Sequence, residues 1–425
     1  MKLKNQGKGL GGLLLLSVFL APGVQAKGAH KEEVKAEAAQ WGLIVNKAML
    51  HNNDGYSKET YFVDNYNQST RAWITGEKKL DNCFKVGAKL EIQFLQASSI
   101  LAGQTDRDDS ASDDRMGVRQ ADAWLAGDFG KISLGHGSMS GFTAIANDLS
   151  GTSDTIRYAG PWLMGSQIQF HPTGTGQVTS SPTIINIFSP YELIFARQSR
   201  LRYDTPTFAG FTLSGSIYSG SISGVGALDG TAVATPRSGQ KYGTDLTLRY
   251  ADNFEGVKLL GAVTFNRLSK GNGSGGTMRD DVQNAKIWDG SFSVLHVDTG
   301  LNATVNYAQK TLANPGNVVP GYTFPTNKPT FGCVALGLIS NLNSYGTTNF
   351  IVDYTQTKNS YENDGKGKEF GVGVVQKLNK VNSEVYVALR RLKYNPPSTS
   401  SVTSYDKIFQ AFAGVRVSLG GKLPT

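Results

Sequence analysis

The sequence predicts an all-β protein, a transmembrane antiparallel β-barrel of about 16 strands with apolar side chains turned out and polar ones turned in. Three observations predict it. Segment after segment alternates apolar and polar residues with period two. After Ala26 no run of 18 consecutive apolar residues occurs, which leaves no candidate for a membrane-spanning helix. The connections between alternating segments are short and long by turns, as in outer-membrane barrels with turns on one side and loops on the other.

The chain opens on a secretory signal. Lys2, Lys4 and Lys8 form a basic start, Leu10 to Leu20 an apolar stretch, and Val24-Gln25-Ala26 a small-residue cleavage site. Residues 1–26 are therefore read as a signal peptide and 27–40 as a short periplasmic segment. Residues 41–419 form the barrel, and 420–425 a C-terminal tail. Losing three lysines with the signal reduces the +8 of the full chain to a mild positive excess. Such an excess biases a pore toward anions and gives no reason to expect nucleic acid. Export permits a disulfide. Cys83 and Cys333, however, fall on distant strands near opposite ends of the barrel, so no bond between them is expected.

In order, the strands are expected near 41–50, 69–79, 84–96, 118–127, 130–136, 199–204, 209–219 and 240–251. They continue near 257–267, 285–296, 300–310, 331–340, 346–357, 367–378, 383–393 and 405–419. The clearest runs from Phe84 to Gln96. Phe84, Val86, Ala88, Leu90, Ile92 and Phe94 share one face, and Lys85, Gly87, Lys89, Glu91 and Gln93 the other. A face of that second kind needs water, and a wet lumen supplies it. Leu201 and Tyr203 alternate with Arg200 and Arg202, and Leu246 and Leu248 with Asp245 and Arg249. In the last strand Phe409, Ala411, Ala413, Val415, Val417 and Leu419 alternate with Gln410, Phe412, Gly414, Arg416 and Ser418.

Seven short connections carry mostly Asp, Asn, Gly or Pro, the residues that turns require. Between them lie eight long polar stretches, 51–68, 97–117, 137–198, 220–239, 268–284, 311–330, 358–366 and 394–404. Aromatic residues recur near strand ends (Trp41, Phe84, Phe94, Tyr218, Phe265, Tyr307, Phe370, Tyr394), where barrels carry interfacial girdles. His136 shares parity with Ile132 and Leu134 and reaches the lumen only if the strand ends or bulges at Gly135.

Several segments resemble the Gram-negative porin family of general-diffusion, 16-stranded trimeric type. They are Asn65 to Arg71 leading into Thr75-Gly76-Glu77, Gly127 to His136, Asn147 to Thr152, and Arg200 to Pro206 followed by Phe208 to Phe211. In layout the resemblance covers nearly the whole chain after the signal. There are two departures. The family usually has Arg or Gln at the place of His136, and it commonly ends in an aromatic residue, whereas here the alternation stops at Leu419. The resemblance implies a homotrimer in outer-membrane lipid and lipopolysaccharide, with the long third loop, 137–198, folded into the lumen. Asp148 and Asp154 of that loop would then face a basic wall drawn from Arg71, Lys89, Arg119, Arg200, Arg202, Arg249, Arg390 and Arg416. Opposed charges at a narrow point orient dipolar solutes and tune ion selectivity. Placing the arginines inward also follows from the cost of turning each to lipid, roughly 2–4 kcal/mol at the midplane. The competing reading of Asp148 and Asp154 is that they satisfy backbone groups of turns.

No enzyme, cofactor or metal site is expected. None of the five histidines is spaced with another His, Cys or Glu as a metal pair would be, and no G-x-S-x-G motif occurs. Gly271 to Gly276 lacks the Lys and helix of a phosphate loop. The acidic run Asp106 to Asp114 reads as a solvated surface. The expected function is a water-filled channel for passive diffusion of small hydrophilic solutes and ions, with a mild preference for anions. A substrate-preferring channel on the same barrel and a surface barrel adhesin remain as alternatives.

Overall fold

Alternation becomes a barrel because one face of each strand tolerates lipid and the other does not. The computed structural model describes residues 39–80, 83–104, 115–175, 181–189, 197–219, 240–270, 285–311, 318–319, 322–323 and 327–423. The signal peptide, nearly all of 27–40 and the acidic run 106–114 lie outside the described residues.

The first strands are β1 (Gln40–Asn53), β2 (Lys58–Asp64), β3 (Arg71–Lys79), β4 (Phe84–Leu95), β5 (Arg115–Gly127) and β6 (Gly130–Ser138). Then follow β7 (Arg197–Asp204), β8 (Phe211–Ser219), β9 (Gln240–Phe254), β10 (Val257–Lys270), β11 (Lys286–His296) and β12 (Leu301–Thr311). After a two-residue ladder of β13 (Val318–Val319) with β14 (Tyr322–Thr323), the wall resumes. It continues through β15 (Thr330–Asn343), β16 (Gly346–Lys358), β17 (Lys366–Leu378), β18 (Ser383–Asn395) and β19 (Ile408–Lys422). Neighbours pair antiparallel throughout, and β19 pairs with β1 to close the sheet. The sheet holds 17 segments, but β2 and β3 both pair with β1, so they form one interrupted strand and the barrel has sixteen.

The faces sort as alternation requires. Leu213, Leu246, Leu248, Val263, Phe292, Val305 and Leu389 are exposed on the outside. Ser214, Asp245, Thr247, Thr264, Asn266, Ser291, Thr304 and Asn306 are buried on the inside. This inside-out arrangement fits lipid around a polar interior. Six of the seven short turns lie within the described residues and join the strands where the sequence places them, and residues 81–82 of the seventh lie outside them. Glu255 and Gly256 form a two-residue turn, both at positive φ (44° and 85°), the geometry whose twist matches such a hairpin.

Three expectations need correction. The stretch 51–68 is not simply a loop. Lys58–Asp64 pairs with the upper half of β1, and only Asn65 to Thr70 leaves the ladder. Asn46 fills that gap, its amide N–H donating to Thr70 Oγ1 (3.2 Å) and its Nδ2 to the Gln68 carbonyl (3.0 Å). The last strand runs past Leu419. Gly420, Gly421 and Lys422 pair with Gly42, Trp41 and Gln40, because backbone pairing needs no apolar side chain. Tyr218 and Tyr394 point inward and are 2% exposed, so neither belongs to a girdle. His136 keeps the face that its parity gives it, with Ile132 and Leu134, because the register through Gly135 is unbroken on both sides.

Candidate functional site

The two halves of the inner wall differ. Along β15 to β19 the inward residues include Ala335, Ile351, Val375, Ala388, Leu392 and Phe412, all buried. Leu50 of β1 joins them, and Trp162, Leu163, Met164, Ile168 and Phe170, from the stretch between β6 and β7, complete one apolar cluster. Along β3 to β7 the inward residues are charged instead: Arg71, Glu77, Lys89, Glu91, Arg119, Asp122, Arg200, Arg202 and Asp204.

The stretch after β6 hydrogen-bonds to inward residues of strand after strand. Asp245 accepts from Ser140 Oγ (2.7 Å) and the Gly141 amide (2.6 Å). Ser291 and Ser293 receive the amides of Asn147 and Leu149. Asn306 donates to the Ile145 carbonyl, Asn349 to Gly151 and Gln410 to Met164. Near the far end a five-residue helix, α1 (Ile184–Phe188), starts on a capping box formed by Thr183 and Asn186.

The sequence-predicted residues fall into three groups. The first holds the peptide chain. Arg200 donates to the carbonyls of Ser138 and Gly135, Arg202 to Ser138 and Met139, Arg249 to Ser140 and Phe142, and Arg390 to Ile156. Arg200 is also paired with Asp122 (2.6 Å) and Arg202 with Asp204 (2.7 Å).

The second group converges on Glu91, which sits 2.6 Å from Arg119, 2.7 Å from Lys89 and 3.5 Å from Arg71. Arg119 reaches this place through a β-bulge. Glu91 pairs with Gln120 and Ile92 with Val118, so Arg119 is the extra residue, and both Arg119 and Gln120 turn toward Glu91. Simple alternation would have put Arg119 on the lipid side with Ala121 and Ala123.

The third group contains the acids. Asp154 keeps 48% of its side chain exposed, 3.4 Å from Arg416, which also holds Glu384 at 2.7 Å. Asp148 differs, with a carboxylate only 1% exposed. One oxygen accepts the Ser150 amide (2.7 Å) and the other Arg157 (2.8 Å), so it combines turn capping with an ion pair. A buried carboxylate paired in this way presents no net charge to a passing solute.

Sequence reasoning missed Arg157, which has no strand periodicity around it. It is 1% exposed and touches Asp148, Asn306, Cys333 Sγ (3.3 Å) and Asp353 (3.8 Å). Beside it Glu369 is buried on β17, 3.8 Å from Arg390. Glu91 was visible on the polar face of its strand and Arg71, Lys89 and Arg119 as inward cations, but their convergence on one carboxylate was not. Neither cysteine is in a disulfide, and Cys83 is exposed and Cys333 buried. Among the described residues no group of three His, Cys, Asp or Glu side chains is placed to hold a metal.

Comparison with known proteins agrees with this architecture. Residues 35–396 match the family model of the Gram-negative porins. The anion-selective porin of Comamonas acidovorans superposes with a TM-score of 0.53 at 14% identity, over 90% of this chain and 99% of that one. OprB of Pseudomonas putida gives 0.57 at 10% identity, over 90% and 94%. The trimer form of OmpT from Vibrio cholerae gives 0.50 at 12%, over 90% and 100%. No curated protein matches the sequence.

Proposed function

This chain belongs to the Gram-negative porin family and lies in the outer membrane, and from that premise we propose that it conducts small hydrophilic solutes and ions by passive diffusion with a mild preference for anions. The observation that carries the reading is the charge around Glu91. Arg71 and Lys89 alone set two positive charges against one carboxylate, and Arg119 adds a third. Their side chains stay partly open, 13% for Arg71 and 25% for Lys89. A wall of one net sign with low-dielectric surroundings concentrates the opposite ion.

In this reading the stretch described at 139–175 and 181–189 narrows the lumen by covering the apolar half of the inner wall, and solutes pass along the charged half. Arg202, Arg249 and Arg390 then act mainly by holding that stretch in place and Arg200 by tying β7 to the end of β6, while Arg71, Lys89 and Arg416 meet the solute and Arg119 adds its charge from behind. Asp154 faces Arg416, and their opposed charges set a transverse field. The barrel works as a homotrimer among outer-membrane lipid and lipopolysaccharide and performs no chemistry on its solutes. A trimer form of the similar Vibrio cholerae barrel is consistent with that assembly.

Single-channel recording tests the proposal. Sustained ohmic steps are expected, with a reversal potential in a salt gradient that favours chloride over potassium. A silent membrane would overturn the channel reading, and a cation-favouring potential the anion preference.

A further inference from the structure

Trp73 stands beside the Glu91 cluster and takes no part in it. It lies on β3, on the same inward face as Arg71, and is directly opposite Glu91 across the β3–β4 ladder. Its ring rests on Gly42 of β1, so closely that a methyl group at residue 42 would overlap the indole. The other inward tryptophan, Trp124, rests on Gly87 in the same way. Trp124 is occupied, however. Its Nε1–H donates to Glu77 (3.2 Å), and the Lys131 ammonium sits 4.2 Å from its ring centroid.

A large ring over a glycine is often just packing, filling the notch that the missing side chain leaves. Two tyrosines of the inner wall fit that description. Tyr218 over Gly243 and Tyr386 over Gly414 are 2% and 4% exposed. Trp73 remains partly exposed. Among the described residues its indole N–H has no hydrogen-bond partner, and its ring has neither an aromatic nor a cationic neighbour. An open indole therefore stands next to a surplus of positive charge.

We propose that Trp73, Arg71 and Lys89 form a subsite for small aromatic carboxylates on the path through the barrel. The carboxylate is drawn to Arg71 and Lys89, whose charge Glu91 only partly neutralises, and the flat ring stacks on the indole. Aliphatic carboxylates feel the same charge but gain nothing from the ring. Aromatic cations gain from the ring and are repelled by the charge. This deepens the anion-channel reading and rests on it.

The probes are benzoate and acetate, applied to the purified full chain in planar bilayers at constant ionic strength while chloride current is recorded. Benzoate is expected to interrupt the current at concentrations where acetate does not. Trp73→Ala should lower the benzoate-to-acetate ratio of blockade by about threefold to tenfold, the range of an aromatic pair. Trp73→Phe, which keeps a ring, should restore most of the ratio, and Arg71→Gln should weaken both anions. Chloride steps in each variant show that the barrel has assembled. An open channel that treats benzoate and acetate alike, or a ratio unmoved by Trp73→Ala, would overturn the subsite and leave the channel reading standing. A silent wild-type membrane would overturn both.

Discussion

Replacing Arg157 by alanine tests how the stretch 139–175 is held to the wall. The guanidinium is 1% exposed and compensates Asp148 at 2.8 Å and Asp353 at 3.8 Å, both themselves buried. Removing one partner of a buried ion pair strands the other charge and costs about 3–5 kcal/mol. Three partners of Arg157, namely Asn306, Cys333 and Asp353, belong to β12, β15 and β16, so the cost falls on the attachment of the stretch to those strands. At about 1.4 kcal/mol per decade, its opening equilibrium rises by roughly two to three and a half orders of magnitude. Cys333 is a natural reporter, since its thiol is 1% exposed and touches Arg157, while exposed Cys83 is an internal reference. The assay is the rate of maleimide labelling at Cys333 relative to Cys83 in the folded protein. Arg157→Met, which fills the space without the charge, separates loss of the ion pair from access through a hole. Both variants should label Cys333 far faster than the parent. Wild-type labelling in both would refute the claim that this ion pair anchors the stretch.

Three further outcomes are expected. Glu91→Gln removes the carboxylate shared by Arg71, Lys89 and Arg119, so the reversal potential in a salt gradient should move further toward chloride; movement toward potassium would contradict the charge count. Gly300→Ala should lower the urea midpoint of unfolding, because φ is +71° there and the added Cβ would overlap the Ile339 carbonyl, which cannot swing aside. Asp54, in the β1–β2 turn, gives a pH effect. Burial raises its pKa, but hydrogen bonds from Ser57, Gln104 and Tyr56 outweigh that and hold it below the usual 3.8. The turn is therefore stabilised above pH 3.8 and loses this contribution as pH falls through the lower folded value. Asp54→Asn should flatten that acid limb in protease-protection measurements of the turn, and an unchanged limb would count against it.

Much of the barrel was legible because period-two alternation reports directly which face meets lipid. Leu201, Leu246 and Phe409 identify their faces without further help. The signal failed where one residue broke the count. The bulge at Arg119 shifts parity within a single strand, and only the pairing partner across the ladder reveals it. It failed again at Lys58–Asp64, a short polar strand followed by an irregular turn, which reads as loop until β1 is laid beside it. The site was legible as a set of inward cations, since lipid excludes them. What each cation holds was not, because Arg249 and Arg390 bind carbonyls of a stretch far away in sequence, and carbonyls leave no mark in residue identity. Nor does any pattern show that Asp148 is consumed by Arg157 nine positions later.

The seam between β1 and β19 bears on how such a chain is made. Its fourteen-position register joins residues at nearly opposite ends of the sequence. Closing so long a loop adds little equilibrium cost, because the entropy grows only with the logarithm of length. Kinetically the order is strict. No seam contact exists until the last strand has been synthesised and exported, and until then Gln40–Asn53 and Ile408–Lys422 are two open strand edges, each able to capture another chain. Delivery of this protein to its membrane therefore depends on keeping those two edges apart from strangers until they meet each other.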